Sequence, residues 1–321
     1  MVPLPWPDAA RSSGITERGW HSLRVVATTL GLPDGHLVQI AEGGDLDGAP
    51  VFVHHGSPGS AILDQHWVSD AAARGLRLII YARPGFGLST RAAGRVVADA
   101  ARDVAAIADE LGVDRFLSWG FSGGGPHALA CAALLPDRVV AVASLAAAAP
   151  IDGDGLDFFE GMGPGNIEEF GIAVNGGEDA IRTFAAEQAA DLRNVTQEQM
   201  VEAMAPHLSP VDAAELAGPI GVTELAQFQD AFAVSVDGWV DDDLAFIAPW
   251  GFQPSDISVP VLLWQGREDR MVPFAHGEWL ARQIPGVEAH LTEGDGHLTM
   301  VTRRIPGVHQ WLRDRWDAAD R

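Results

Sequence analysis

The 321-residue chain is predicted to adopt an α/β fold, in which a mostly parallel central sheet is flanked by helices. Short β-rich runs alternate along the chain with longer helical patterns, and this alternation is typical of a parallel sheet. Apolar runs such as Val139–Val142 are nearly continuous, as in strands that are covered on both faces. The alternation stops between Ile151 and Gln253, which indicates a helical insertion.

Strands are predicted where the β-rich runs lie outside that segment. In chain order they are His36–Ala41, Val51–His54, Arg77–Tyr81, Arg115–Trp119, Val139–Leu145, Val261–Gln265 and Glu288–Leu291. Helices are predicted between these strands and after the last one, at about Ser60–Arg74, Arg95–Leu111, Gly123–Leu135, Phe274–Gln283 and Pro306–Arg315. These helices are expected to cover the two faces of the sheet.

The charge distribution also sets the predicted insertion apart. Residues 151–253 contain 20 Asp and Glu but only 2 Arg, a local formal charge of −18 out of −23 for the chain. Helices are predicted in this segment at about Gly177–Asn194 and Glu198–Ala205. We therefore expect a core formed by 1–150 and 254–321, with an acidic helical cap at 151–253 over the carboxyl ends of the strands.

The basic residues exclude several classes of enzyme. All 21 of them are arginines, and the chain contains no lysine. Schiff-base enzymes, P-loop nucleotide hydrolases and enzymes with the S-x-x-K arrangement all need that amine. The formal charge of −23 repels nucleic acid phosphates and anionic membrane surfaces, so neither is expected as a partner. A small-molecule substrate is expected instead, and the sequence leaves the oligomeric state open.

Other sequence features bear on cofactors and location. The single cysteine, Cys131, excludes an internal disulfide and a Cys-based zinc site, in agreement with a reducing compartment. The H-E-x-x-H motif is absent and no glycine-rich run has dinucleotide-binding spacing, so neither a metal nor another cofactor is expected. No apolar run reaches the roughly 18 residues of a membrane span, and Met1–Asp8 lacks the basic and apolar regions of a secretory signal. A cytoplasmic protein is therefore expected.

The most specific motif is Gly120-Phe121-Ser122-Gly123-Gly124, between a predicted strand and a predicted helix. This is G-x-S-x-G in the strand–turn–helix setting that a nucleophilic serine requires. Small neighbours are needed because the chain reverses sharply there. The Ser122 hydroxyl is thereby aimed out of the sheet edge, above a helix N-terminus that favours developing negative charge.

A second glycine-rich loop, His54–Gly59, follows the strand that ends at His54. A tetrahedral intermediate needs two converging hydrogen-bond donors, one from the residue after the nucleophile and one from this loop. The first is the N–H of Gly123. Because Pro58 has no N–H, the second is predicted to be the N–H of Ser57. His55 is predicted to be a structural loop residue.

A nucleophilic serine also needs a base and an acid that orients it. His297 follows the last predicted strand on a Gly-rich loop that would return to the carboxyl edge of the sheet. Asp269 follows the strand before it, and its carboxylate could accept a hydrogen bond from His297 Nδ1. The predicted catalytic residues are therefore Ser122, Asp269 and His297. The competing acids are Glu268, Asp152 and Asp154.

Taken together, these motifs resemble the α/β-hydrolase superfamily, with a helical cap, over about His36–Trp316. The matching pieces are His55–Gly59, the R-P-G-x-G-x-S turn at Arg83–Ser89, the elbow at Ser122, Gly266–Asp269 and Gly296-His297. Ala82 departs from the D-R-P-G that many relatives carry, which removes a carboxylate near the turn and leaves the triad intact. The resemblance implies the α/β-hydrolase fold.

For activity, the residues and the resemblance imply a serine hydrolase of the carboxylesterase kind, cleaving a small, largely uncharged ester, thioester or amide through an acyl-enzyme. Ser122 argues against haloalkane dehalogenases and epoxide hydrolases, which use aspartate at the elbow. One alternative is a proline iminopeptidase-like aminopeptidase, although the elbow of those enzymes usually reads G-G-S-W-G. Another is a ligand-binding member of the fold with marginal turnover.

The substrate pocket is predicted from apolar residues near the elbow and at the end of the cap. Phe121, Trp250 and Phe252 are the predicted pocket residues. Acidic clusters in the cap, at Glu168-Glu169 and Asp241–Asp243, are interpreted as a solvated face. The other interpretation is a site for a substrate ammonium, which the aminopeptidase alternative would require.

Overall fold

The computed structural model describes residues 25–321, so the prediction on Met1–Asp8 lies outside the described residues. The strands are β1 (Val26–Gly31), β2 (Leu37–Gly44), β3 (Ala49–His54), β4 (Leu76–Tyr81), β5 (Phe116–Phe121), β6 (Val139–Leu145), β7 (Val261–Gly266) and β8 (Glu288–Thr292). They form one sheet in the order β1-β2-β4-β3-β5-β6-β7-β8. Strand β2 is antiparallel to both of its neighbours, and the other pairs are parallel. The prediction of a mostly parallel sheet is confirmed.

Strand β1 was not predicted from the sequence. It lies at the end of the sheet and pairs only with β2 among the described strands. Most of its residues are exposed, and it lacks a continuous buried apolar run such as that of β6.

The helices outside the insertion cover both faces of the sheet. They are α1 (Gln65–Ala73), α2 (Asp99–Glu110), α3 (Gly124–Leu134), α9 (Phe274–Gln283), α10 (Thr299–Arg303) and α11 (Ile305–Ala319). Helix α1 begins later than predicted because Asp64 caps its N-terminus, accepting a hydrogen bond from the N–H of His66. Buried residues form one hydrophobic cluster on each side of the sheet.

The helical insertion lies between β6 and β7, as predicted. Its helices are α4 (Pro164–Leu192), α5 (Gln197–Met204), α6 (Pro210–Leu216), α7 (Pro219–Ala231) and α8 (Asp237–Phe246). Helix α4 begins before the predicted start at Gly177, because Gly177 (φ 65°) is a kink between two helical segments. Buried residues of α4 and α7 belong to the same hydrophobic cluster as strand residues, so the insertion packs onto the core.

The parallel arrangement determines where the loops meet. Strands β3, β5, β7 and β8 all run in the same direction. The loops after them therefore lie at one edge of the sheet, where open α/β sheets bind their ligands. These are the loops that carry Ser57, Ser122, Asp269 and His297.

Candidate active site

Ser122 lies directly after β5 in a backbone conformation that non-glycine residues rarely adopt. Its φ is 53°, and its N–H donates a hydrogen bond to the carbonyl of Leu145 at 2.9 Å. A side chain on Gly124 would overlap the backbone carbonyl of His54. The glycine after the turn thus lets helix α3 start against the end of β3, which leaves Ser122 at the apex of a sharp strand-to-helix turn.

His297 and Asp269 form a buried pair. His297 Nδ1 lies 2.8 Å from Asp269 Oδ2, and both side chains are buried. The other oxygen, Oδ1, accepts the N–H groups of Met271 and Val272 at 2.9 Å each. Because the carboxylate is held by its own loop, it orients the imidazole with Nδ1–H toward Asp269. The Nε2 lone pair then remains to accept a proton.

The environment of His297 favours its protonated form. Burial by itself lowers the pKa of His297, but the nearby carboxyl groups of Asp269, Asp212 and Glu224 together outweigh it and leave the pKa raised above its ordinary value. The competing acids Glu268, Asp152 and Asp154 are exposed. His297 and Ser122 line one small cavity of about 60 Å³. The ring of Phe121, which lines the same cavity, lies 4.7 Å from the His297 ring.

Ser57 and Gly123 lie side by side next to Ser122. A Cβ built on Gly123 would be 2.8 Å from Ser57 Cβ and 3.2 Å from Ser57 N. Any side chain at position 123 would therefore displace the loop after β3. Within residues 25–321 neither of the two N–H groups donates a hydrogen bond to the protein. Both are thus available to a ligand oxygen.

A buried ionic cluster holds the Ser57 loop in place. Asp242, on α8 of the insertion, accepts a hydrogen bond from Ser57 Oγ at 2.6 Å. The same carboxylate lies 2.6 Å from Arg83 Nη2 and 2.6 Å from Arg95 Nη2. Arg83 also donates to the backbone carbonyls of His55 and Gly56, at 2.6 and 2.8 Å. The cluster thus connects the loop, the core and the insertion.

The charges of this cluster compensate each other. The three side chains of Arg83, Arg95 and Asp242 are each at most 3% exposed. Burial alone would raise the pKa of Asp242, but the two guanidinium groups hold it well below its usual range. The sequence pointed to the turn at Arg83–Ser89, but it placed Asp242 on a solvated acidic face, because this contact joins residues 159 positions apart.

A cavity of about 450 Å³ opens beside Ser122, between the core and the insertion. Ser57, Ser122 and Gly123 line it from the core. Aromatic residues of the insertion line the other side, namely Phe170, Phe184, Phe228, Trp239 and Phe246. Its walls are mainly apolar, as in sites for small organic molecules.

Two of the predicted pocket residues, Trp250 and Phe252, do not line the cavity beside Ser122. Trp250 and Phe252 belong to the hydrophobic core cluster, with ring centroids 5.6 Å apart, and line none of the cavities described here. The Trp250 carbonyl accepts a hydrogen bond from the N–H of Ala98, which places this stretch beside the start of α2. The prediction that they form the pocket is wrong, because the chain has already left the cavity when it rejoins the core.

Two acids of the insertion lie in the cavity rather than in solvent. Glu169 and Asp243 both line it, and their carboxyl groups share a hydrogen bond. Trp239 Nε1 donates to Glu169 Oε1 at 2.6 Å, whereas Asp243 Oδ2 is buried without a partner in the described part of the chain. The expected solvated face is wrong for Glu169 and for all of Asp241–Asp243, whose three side chains are buried. Glu168 is exposed, as expected, and Asp241 pairs with Arg91.

This pair holds a proton near neutral pH. Burial raises the pKa of Glu169 to about 7. Burial and the neighbouring Glu169 raise the pKa of Asp243 well above its usual value. Two close carboxyl groups away from water cannot both ionise at little cost, so the pair keeps at least one proton and carries at most one negative charge.

Across residues 25–321, no group of three or more His, Cys, Asp or Glu side chains is arranged to hold a metal ion. None of the helices in that range has the length and apolar character that crossing a membrane requires.

Comparisons with solved structures agree with this fold. An esterase from Thermogutta terrifontis superposes with a TM-score of 0.62 at 21% identity, covering 90% of this chain and 99% of that one. An enol-lactonase from Burkholderia xenovorans LB400 superposes with a TM-score of 0.60 at 20% identity, covering 90% of this chain and 100% of that one. At such identities the likeness shows the fold alone.

Sequence comparison identifies the family. The chain is 22% identical over 253 residues to the uncharacterized hydrolase YcgS of Bacillus subtilis (strain 168), covering 78% of this chain and 85% of the relative. Residues 49–303 match the model of the alpha/beta hydrolase fold. That match spans most of the chain and includes the elbow, the loop after β3 and the His297–Asp269 pair. This chain therefore belongs to the α/β-hydrolase fold family.

Proposed function

We propose that this protein is a serine hydrolase that cleaves a small ester, thioester or amide through an acyl-enzyme on Ser122. The observation that carries the proposal is the buried His297–Asp269 pair, with a 2.8 Å hydrogen bond, on the cavity that Ser122 also lines. Enzymes that catalyse acyl transfer commonly use these three groups: a serine at a strained turn, a histidine base and a carboxylate that orients it. The relative that is named a hydrolase supports the same class.

In the proposed mechanism His297 Nε2 takes the proton from Ser122 Oγ as this oxygen attacks the substrate carbonyl carbon. The N–H groups of Ser57 and Gly123 hold the resulting oxyanion. When the intermediate collapses, the leaving group departs with the proton from His297, and the acyl group stays on Ser122. His297 then deprotonates a water molecule, which attacks the acyl carbon. As this second intermediate collapses, the imidazolium returns the proton to Ser122 Oγ, and the acid leaves.

The cavity supports a small substrate without negative charge. Its volume of about 450 Å³ suits a small acyl group, and Phe121 lines the smaller cavity beside it, near His297. Acids line the cavity, but no arginine does. An anionic acyl group would therefore meet unfavourable charge.

We also propose that residues 151–253 act as a cap over this cavity, and that the protein is cytoplasmic, as its single Cys131 suggests.

The direct test is labelling with a fluorophosphonate, followed by intact mass measurement. We expect one adduct on the wild type and none on Ser122→Ala, with hydrolysis of short-chain aryl esters lost in parallel. Ser69→Ala removes a hydroxyl from the surface helix α1 and should label like the wild type. An adduct of equal amount on Ser122→Ala would disprove the proposal. A folded wild type that neither labels nor turns over would favour a ligand-binding protein instead.

A second candidate is an aminopeptidase resembling the proline iminopeptidases. The observation that favours it is the Glu169–Asp243 pair, which places two carboxyl groups, with at most one negative charge, in the cavity beside Ser122. The unpartnered Asp243 Oδ2 could accept a hydrogen bond from a substrate ammonium. Such a substrate would present its scissile carbonyl to Ser122 and its amine to the pair.

Substitution of the pair separates the two candidates. If the substrate carries an amine, Glu169→Gln and Asp243→Asn should each lower kcat/KM for a prolyl aryl amide by roughly 10- to 100-fold, since a charged hydrogen bond contributes about 1.5–3 kcal/mol. Hydrolysis of an uncharged aryl ester should change little. Glu187→Gln, at an exposed position of the same helix α4 that lines neither cavity, is the matched control. Equal cleavage of the free and the N-acetylated amide would count against the aminopeptidase.

A further inference from the structure

The loop that carries His297 is held by a residue of the insertion. Asp212, in the first turn of α6, is fully buried. Its Oδ2 accepts the backbone N–H of His297 at 2.8 Å, and its Oδ1 accepts the N–H of Leu298, also at 2.8 Å. Ser209 Oγ, at the N-cap of α6, donates to Oδ2 at 2.7 Å. Both oxygens of this buried carboxylate are thus committed to the histidine loop.

The loop is shaped around that carboxylate. A Cβ on Gly296 would overlap the Asp212 side chain, so a residue larger than glycine would push the loop away from it. The exposed ion pair between Arg303 and Glu215, with a 2.7 Å hydrogen bond, joins α6 to α10 just beyond the same loop. Helix α6 is therefore docked on the segment that places the proposed base.

We infer that Asp212 is a positioning residue for the proposed reaction: the insertion supplies a carboxylate that fixes the backbone of the His297 loop. This inference rests on the proposed role of His297 as the base. Asp269 orients the imidazole ring through Nδ1, while Asp212 holds the main chain from which that ring extends. Two anchors of this kind determine both the place and the angle of Nε2 relative to Ser122.

The same carboxylate acts on the charge of the base. The acids that face His297 from the packed elements are Asp269 after β7, Asp212 on α6 and Glu224 on α7. Each of them favours the imidazolium, and together they outweigh the effect of burial and raise the pKa of His297 above 6.5. Removing the charge of Asp212 should therefore lower this pKa. Because the neutral imidazole is the base, the rise of kcat/KM with pH should then begin at lower pH.

The test compares Asp212→Asn with the wild type in turnover of an aryl ester. We expect kcat to fall by roughly 10- to 100-fold, the range for a small misplacement of a catalytic group. KM should stay near the wild-type value, because Asp212 does not line the cavity. The pH inflection should move to lower pH. Unchanged kcat together with an unchanged inflection would overturn the inference.

Two further variants separate positioning from simple structural support. Glu215→Gln breaks the ion pair between α6 and α10 but keeps Asp212. It should therefore leave kcat and the pH inflection unchanged. A fall in kcat equal to that of Asp212→Asn would overturn the inference. Asp212→Glu keeps the charge on a longer side chain, so it should retain the wild-type inflection with lowered kcat. If Asp212→Asn does not fold, Asp212→Glu still decides, because wild-type kcat in that variant would contradict a positioning role.

A measurement without turnover distinguishes failure of this inference from failure of the proposed function. The His297 imidazole can be titrated by NMR, with its signal assigned through a His297→Asn variant. A lower His297 pKa in Asp212→Asn than in the wild type supports the inference even if no ester is hydrolysed. An identical titration in the two proteins contradicts the expected effect of Asp212 on the charge of the base, even if Ser122 is labelled normally.

Discussion

Alanine in place of Ser122 or His297 is expected to lower kcat by roughly 10⁴- to 10⁶-fold, the range seen when a triad member is removed. The effect is this large because the two residues act in the same steps: without His297 the hydroxyl keeps its proton, and without Ser122 no acyl-enzyme forms. The double variant should therefore lose no more than either single variant. Asp269→Ala should cost roughly 10⁴-fold, since the imidazole remains but loses its orientation.

Single-turnover and steady-state kinetics on an activated aryl ester measure these losses. Residual rates should remain above those in water, because the N–H groups of Ser57 and Gly123 still bind the oxyanion. Ser69→Ala serves as the matched hydroxyl control. If the losses of Ser122→Ala and His297→Ala multiply in the double variant, the two residues act independently and the proposed mechanism is wrong.

The second large effect concerns stability. Replacing Asp242 with alanine is expected to lower the free energy of unfolding by about 3–5 kcal/mol, the cost of leaving a buried charge without its partner. Arg83 and Arg95, both buried, would face each other without the carboxylate that lies 2.6 Å from each of them. Ser57 Oγ would lose its acceptor as well, so activity should fall together with stability.

Urea unfolding of both proteins, followed by tryptophan fluorescence, measures this loss. Glu178→Ala, which removes an exposed acid that pairs with Arg91 and Arg182, is the control and should change stability little. A loss below about 1 kcal/mol for Asp242→Ala, the size of an exposed pair, would contradict the assigned role of the cluster.

Asp242 should also account for part of the loss of stability at acid pH. The pKa of Asp242 is lower in the folded protein than in the unfolded chain, so its contribution to stability is present above its unfolded pKa of about 4. That contribution is lost as the pH falls toward the folded value. In Asp242→Asn the carboxylate is absent at every pH, so stability should fall less steeply with acidification than in the wild type.

The parts of the site that follow strands were predictable from the sequence. Ser122, His297 and Asp269 each come directly after a parallel strand, and such loops must meet at one edge of the sheet. Their local motifs therefore contained the information that brings them together. The same reasoning predicted the N–H of Ser57 as the second donor beside Gly123, because Pro58, the next residue of that loop, has no N–H.

The parts that depend on contacts between the insertion and the core were not predictable. Trp250 and Phe252 have the right residue types for a pocket, but the path of the chain takes them into the core. Glu169 and Asp243 look in the sequence like other acids of a very acidic segment, and only the packing of α4 against α8 separates them from solvent. Asp212 and Asp242 likewise show no local motif, because their partners lie 85 and 159 positions away.

The ionic cluster at Asp242 also limits how such proteins can be recombined. An insertion taken from another relative and joined to this core would leave Arg83 and Arg95 buried without a counterion, unless it also brought an acid to the same place on its last helix. Without an acid at the position of Asp212, such a chimaera would also leave the N–H groups of His297 and Leu298 without acceptors. The insertion of this protein is therefore not an exchangeable module, and a successful graft must carry both carboxylates with it.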